Sequence, residues 1–325
     1  MRSQTMTTRT LLTTAIFSAA VSTLPAHAAF YEDFSSYTVA NNLTTPLNGG
    51  QGWAGAWGTG AQNNSNPTMT GIVANSSPLM SSGNYLDVSL ARTNANDTAS
   101  LYRRLAASSA TVRSQVHTIS FLWRADSLAN FDNSNDRFEF FASDNAGTSG
   151  EDSSGLLGAN NGDSNASNPE RWSTYLFGVF GADRGANNSA ALVFAAYNPT
   201  ATGSTAFSGD RYFDVGMDPD AAGPGSGSGG VMTVVAGTAY QIDLSIDPTV
   251  GKWDISISNG TNTVWSKGLN RWGSATTTGE YLVFATRGNS AGEAREFSLD
   301  TVIPEPASLT LLGLGVAGLL GRRRR

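Results

Sequence analysis

The sequence predicts an all-β protein, an antiparallel two-sheet jelly-roll sandwich, set between two apolar ends. Three observations predict it. Many short runs alternate apolar and polar residues at period two. Only 14% of the 325 residues are charged, whereas glycine alone contributes 36, with abundant Asn, Ser and Thr beside it. Between the ends, no long segment carries apolar residues at the 3.6-residue helical period. Scarce Glu, Lys and Arg leave little material for helix surfaces, while the small polar residues suit turns. Aromatic residues make up 10% of the chain, enough to fill a sizeable core.

The clearest alternation sets Tyr240, Ile242, Leu244 and Ile246 against Gln241, Asp243, Ser245 and Asp247. Trp253, Ile255 and Ile257 then alternate with Asp254, Ser256 and Ser258. The connection Asp247-Pro248-Thr249-Val250-Gly251 has Pro and Gly where a hairpin turn needs them, so an antiparallel hairpin is expected. Further strands are expected at 85–90, 100–105, 116–123, 137–142, 174–180, 191–197, 231–235, 263–266, 281–286 and 296–302. So many half-apolar strands are buried by packing two sheets together. Residues 143–169 and 218–230 read as loops. The second is Gly/Ser-rich, but the strands on its two sides are alike in character, so it is taken as an excursion within one domain.

At the N-terminus, Arg2 and Arg9 precede an apolar stretch from Leu11 to Leu24, then Pro25 and the small-residue site Ala26-His27-Ala28. This is the pattern of a secretory signal peptide, with signal peptidase cutting after Ala28 or one residue later. The apolar part is shorter than the roughly 20 residues that span a bilayer. The expected organisation is therefore a signal peptide at 1–28, a β-sandwich at 29–302 and a tail at 303–325.

The tail reads Pro304-Glu305-Pro306-Ala307-Ser308, then apolar Leu309 to Leu320, then Gly321 and four arginines. Proline on both sides of Glu305 favours an extended, accessible segment, since Pro neither joins a helix interior nor donates within a central sheet. A basic end after an apolar helix stays on the cytoplasmic side. This arrangement resembles the PEP-CTERM sorting signal of biofilm-forming Gram-negative bacteria. The resemblance implies an exosortase that recognises Pro304, Glu305 and Pro306, removes the anchor and releases the body to the cell surface or its polysaccharide. As a helix, the run from Ala307 to Leu320 rises only about 21 Å against a hydrocarbon core near 30 Å, which suits transient anchoring. Gly313, Gly315 and Gly318 also mimic a dinucleotide-binding glycine pattern. That pattern is rejected, because the chain ends before any acidic partner about 20 residues on.

Processing changes the charge. Arg2, Arg9 and Arg322 to Arg325 are six of the 20 basic residues, and removing them leaves 14 against 26 acidic, about −12. An acidic exported body disfavours nucleic acid and anionic lipid as partners. With no cysteine in an oxidising compartment, stability rests on packing unless a metal contributes.

Phe30-Tyr31-Glu32-Asp33-Phe34, followed by Gly49-Gly50-Gln51-Gly52-Trp53-Ala54-Gly55-Ala56-Trp57, is similar to the opening of concanavalin-A-like, laminin-G-like jelly rolls. Ser120 to Arg124, Asp136 to Phe141 and the hairpin from Asp247 to Ile257 are similar to the same group. The resemblance implies the fold and says little about activity.

A glycosidase needs two carboxylates converging across a cleft, roughly 5 to 10 Å apart. The Glu-x-Asp-x-x-Glu strand motif of related jelly-roll glucanases is absent, and Asp136 and Glu139, three apart, face opposite ways on a strand. His117 shares parity with Ile119, Phe121 and Trp123, so it reads as a half-buried strand residue. With neither Cys nor a second His in the body, the composition disfavours zinc, haem and iron–sulfur sites. Calcium needs only oxygen ligands, and Asp132 to Asp136 starts like a calcium loop but lacks its Gly and distal Glu. No catalytic, cofactor or metal residue is assigned. Trp53, Trp57, Trp172 and Trp272 either stack on sugar rings or cover the ends of the core. The reading is a non-enzymatic surface or matrix protein with weak affinity for extracellular polysaccharide; the alternative is a jelly-roll glycan-processing enzyme.

Overall fold

A computed structural model of the chain describes residues 30–62, 68–81, 83–91, 98–107, 110–129, 131, 136–143, 174–181, 192–198, 212–217, 226–271, 279–288 and 295–306. In chain order the elements are β1 (Gly58–Gln62), β2 (Thr68–Ala74), β3 (Tyr85–Ala91), β4 (Thr98–Arg104), α1 (Ala110–Arg113), β5 (His117–Ala125), β6 (Arg137–Ser143), β7 (Leu176–Phe180), β8 (Phe194–Tyr197), β9 (Tyr212–Asp214), β10 (Ser226–Gly227), β11 (Tyr240–Asp247), β12 (Lys252–Ser258), β13 (Thr263–Asn270), β14 (Tyr281–Arg287) and β15 (Arg295–Pro306). The expected signal segment, with Ala26 and Ala28, and the apolar run after Pro306 lie outside the described residues. Among the described residues no helix is long and apolar enough to cross a membrane.

The strands form two antiparallel sheets, as the alternation predicts. One has seven strands in the order β1-β4-β14-β6-β7-β8-β9, and the other eight in the order β10-β13-β12-β11-β5-β15-β3-β2. In the hairpin of β11 and β12, Ile242, Leu244 and Ile246 oppose Ile257, Ile255 and Trp253, and all six are buried. Asp247 accepts the N–H of Thr249 at 2.9 Å, and Gly251 takes φ +66°, which closes the turn. From β5, Phe121 meets Phe284 of the facing sheet edge-on at 5.2 Å, and Trp123 meets Phe138 and Phe140 at the same distance. Each such ring contributes about 1.5–3 kcal/mol by burial, with roughly 0.5–1.5 kcal/mol more for a favourable ring pair.

The two sheets differ in what covers their outer faces. Strands β6, β7 and β14 are buried throughout, and Phe141, Leu176, Tyr197 and Val283 form a second apolar cluster outside the first. That double burial is why Tyr281-Leu282-Val283-Phe284-Ala285 reads as an unbroken apolar run. The eight-stranded sheet alternates instead, leaving one side polar.

Several boundaries differ from the sequence expectation. Residues 231–235 make only the bridge Val193↔Thr233, because Val234 donates to Leu192 O at 2.6 Å and Val235 to the Tyr240 hydroxyl at 2.9 Å. Strand β2 escapes the pattern because Gly71 takes an inward position and Ile72 an exposed one. A Cβ on Gly71 would lie 2.9 Å from a methyl of Leu43, so Leu43 packs over the inward glycine. The expected boundary at 302 is also crossed: β15 continues to Pro306, with Ile303, Pro304, Glu305 and Pro306 opposite Ser120, Ile119, Thr118 and His117. Strand β3 pairs with β15 only over 295–299, so among the described strands residues 303–306 have a neighbour on one side alone. Pro304 and Pro306 share a parity, so their missing donors fall on one edge, where a strand tolerates proline.

One end of the sandwich is closed around a buried ion pair. Glu32 lies beside Val302 with two backbone bonds, Glu32 N to Val302 O at 3.0 Å and the reverse at 2.8 Å. Its carboxylate meets the Arg103 guanidinium and accepts from the Tyr37 hydroxyl at 2.7 Å and from the Phe34 N–H at 2.8 Å. Arg103 donates to Gly55 O at 3.1 Å and also to Gly49 O, with its guanidinium 4.5 Å from the Trp53 ring and 5.5 Å from the Trp57 ring. Gly50 has φ +74°, and a Cβ there would meet Tyr31 O at 2.2 Å. Both charges are fully buried. Arg103→Met is therefore expected to destabilise the fold by about 3–5 kcal/mol, because it strands the Glu32 carboxylate in the core. Urea unfolding checks this as a lower midpoint with an unchanged slope.

His117 begins β5, is 3% exposed, and shares the inward face with Ile119, Phe121 and Trp123 as the parity predicts. Its Nδ1 lies 2.8 Å from Gln115 O. Burial pulls the imidazole below its ordinary 6.5, and the charges of Arg113 and Arg271 act the same way. The unfolded chain thus takes up a proton that the fold resists. Stability is complete above pH 6.5 and falls as the pH drops below that value. Urea midpoints measured across this range should show the decline, and His117→Gln should flatten it.

Candidate functional site

On the eight-stranded sheet, the residues that alternate with the core side chains of β11 and β12 point outward. They include Asp243, Ser245, Asp254 and Ser256, all partly exposed. Register aligns them into rows: Ser120, Asp243, Ser256 and Trp265 lie side by side across four strands, and Thr118, Ser245 and Asp254 form the next row. The face encloses an open groove of about 390 Å³. Thr118 forms one side of it, and Trp265 with Lys267 the other.

A β-bulge aims the aromatic ring. Pairing jumps from Trp253↔Leu269 to Ile255↔Ser266, so β13 carries one residue more than β12 at this point. Gly268 takes φ +76° there, and its N–H donates to Asp254 Oδ1 at 2.8 Å. The extra residue lets Trp265 face outward while Leu269 is fully buried. The backbone at Trp265 is fixed from the edge by Ser228, whose N–H donates to Trp265 O at 3.0 Å and whose Oγ accepts from Trp265 N at 3.2 Å. Lys267 Nζ sits 5.1 Å from the Trp265 ring centre.

The paired carboxylates here stand side by side on a sheet surface. Asp243 and Asp254 are diagonal neighbours on adjacent strands, about 7–8 Å apart at the backbone. Asp254 is engaged by the Gly268 N–H, and Asp243 accepts from Gln241 Nε2 at 3.1 Å. On the other sheet, Glu139, Gly178, Ala195 and Asp214 form one row, with Glu139 in an ion pair with Arg137 at 3.1 Å. Glu139 is 6% and Asp214 1% exposed, so both carboxylates are buried. Asp136 turns the opposite way from Glu139 and pairs with buried Arg295 at 2.7 Å. Among the described residues no group of three or more His, Asp and Glu could hold a metal ion. Asp132 to Asn135 of the calcium-like stretch lie outside them.

The tryptophans weighed from sequence fall elsewhere. Trp57 is buried against Phe34 and Phe284, and Trp53 packs on Arg103 and donates to Tyr31 O at 3.0 Å, so this pair covers the end of the core and offers no platform. Trp172 and Trp272 lie outside the described residues. Trp265 went unnoticed, although Val264 beside it held the signal: two adjacent apolar residues in a strand cannot both face the core.

The C-terminal residues match a family description. The chain carries a PEP-CTERM protein-sorting motif at residues 302–325. The motif implies export and processing by an exosortase, consistent with a cell-surface or extracellular location. No curated protein matches the chain in sequence. Among solved structures, a sialidase is 11% identical at a TM-score of 0.45, with 86% of this chain and 19% of that one covered. The present chain thus spans about a fifth of that protein. The Ca²⁺/Man-bound exoplasmic/lumenal domain of VIP36 is 7% identical at 0.40, with 77% and 82% covered. The catalytic domain of a GH131 β-glucanase from Podospora anserina is 9% identical at 0.38, with 72% and 78% covered. Lectins and glycosidases thus stand together among these likenesses, which at such scores carry no argument about activity.

Asp254→Ala removes the acceptor that holds the Gly268 bulge. It should lower stability by about 1–2 kcal/mol, read as a shift in the urea midpoint, because the freed N–H loses a charge-assisted bond.

Proposed function

We propose that this is an exported surface or matrix protein, released by processing of its tail, that binds extracellular polysaccharide through the Trp265 groove without cleaving it. The supporting observation is the outward Trp265 ring at the edge of a row of Ser256, Asp243 and Ser120. A flat aromatic face stacks on the apolar face of a pyranose ring, and the neighbouring hydroxyls and carboxylates accept and donate to its hydroxyl groups. An open strip across several strands suits a chain of sugars better than a single small molecule. Its acidic residues favour neutral or amino-bearing polymers over uronates.

The test uses the protein lacking its signal and tail, with the exopolysaccharide of the source bacterium, in affinity electrophoresis. Retardation by the polymer is expected, with no release of reducing ends. Trp265→Ala should weaken binding about tenfold, near 1.4 kcal/mol, while leaving the urea midpoint close to wild type. Equal retardation of the two proteins would sink the groove as the binding site. Reducing ends that disappear in Asp243→Asn would instead favour the glycan-processing alternative.

A further inference from the structure

The sorting motif does not hang free of the body. Residues 303–306 continue β15 and pair with residues 120–117 of β5. We propose that the folded body sequesters its own sorting motif as a sheet strand, and that release of residues 303–306 from β5 makes the motif available for processing. The proposal rests on the reading of the tail as a sorting signal.

Three features of the backbone carry it. First, the segment is set apart from the rest of its strand: the pairing with β5 shifts register between Asp300 and Ile303. Val302, inside that irregularity, is fully buried and bonded in both directions to Glu32. A firm anchor at 302 followed directly by the motif makes a natural hinge. Second, the segment is held weakly. Among the described strands it has β5 on one side only, and Pro304 and Pro306 have no N–H to give to any ladder. Their nitrogens face the free edge, so a second strand laid there would find no donor from either proline, and β5 holds the motif from one side.

Third, the reach of the chain is too short while the strand stays paired. Only Ala307 and Ser308 separate Pro306 from the apolar run that begins at Leu309. Two extended residues span about 7 Å, so an anchored tail would press the end of the sheet against the membrane. Peeling back to Val302 frees six residues, 303 to 308, which span about 20 Å and leave the Pro-Glu-Pro backbone clear of β5. An enzyme that reads this backbone competes with β5 for it.

The absence of cysteine from the chain permits a direct test. Ile303 lies opposite Ser120, one residue before the motif, and directly opposed antiparallel residues are close enough for a disulfide. The double variant Ser120→Cys with Ile303→Cys is expressed as the full chain in the source bacterium, and processing is followed as the mobility shift on loss of the tail. The oxidised double variant should be processed at least tenfold more slowly than wild type. A membrane-permeant thiol should restore the rate, and each single variant should match wild type. Processing of the oxidised form at the wild-type rate overturns the proposal. So does failure of the two cysteines to cross-link, which would show that 303 and 120 are not paired. If the unmodified chain itself is never shortened, the sorting reading falls, and the proposal with it.

Discussion

The buried contact between Glu32 and Arg103 ties together distant pieces of chain. Glu32 comes from the first described segment, Arg103 from β4 in the seven-stranded sheet, and Val302, held by the backbone of Glu32, from β15 in the eight-stranded one. Two opposite charges inside a core are costly unless every polar atom around them is engaged. Here the Tyr37 hydroxyl, the Phe34 N–H and two glycine carbonyls complete the shell, while Trp53 and Trp57 exclude water from it. Glycine is required at position 50 because the chain passes so close to Tyr31. The aromatic and glycine-rich opening of the body is therefore the lining of this ion pair.

Fixing that end decides which surfaces are left. Strands β6, β7 and β14 of the seven-stranded sheet are covered on both faces, and the carboxylates of Glu139 and Asp214 are buried. The eight-stranded sheet is covered on one face only, and its open side carries the alternating Ser, Thr and Asp residues. Among the described residues this is a broad polar face, and the bulge in β13 places an aromatic ring at its border.

The fold was legible wherever one face of a strand meets water. Tyr240 to Ser258 could be read almost residue by residue, because a core on one side and solvent on the other impose strict alternation. The same logic faltered where that asymmetry ends. In β14 both faces are buried, so a run of apolar residues marked a strand but not its orientation. In β2 glycine stands at an inward position, and at 231–235 a tyrosine hydroxyl and the chain before β8 take the bonds a ladder would have used. The site was harder to read. Trp53 and Trp57 stand out as aromatics in a glycine-rich setting, but both pack on the distant Arg103, and nothing local announces such a partner. Trp265 was visible only as a break in alternation beside Val264, and its outward aim depends on a one-residue bulge that only the pairing of β12 with β13 reveals.

The sorting segment and the groove meet on β5. Thr118 and Ser120 lie in the rows of the groove, and they are also the residues opposite Glu305 and Ile303 in the sorting segment. While that segment is paired, the edge of β5 beside the groove is occupied by the chain's own backbone. Once it is released, the same edge presents unpaired N–H and C=O groups next to the polar row, and such an edge is a strong acceptor of further hydrogen bonds. The sorting segment and the width of this polar face are thus linked through one strand. The link requires no movement of the core, because Val302 stays clamped by Glu32, and behind it by Arg103, whether or not the four residues after it remain in the sheet.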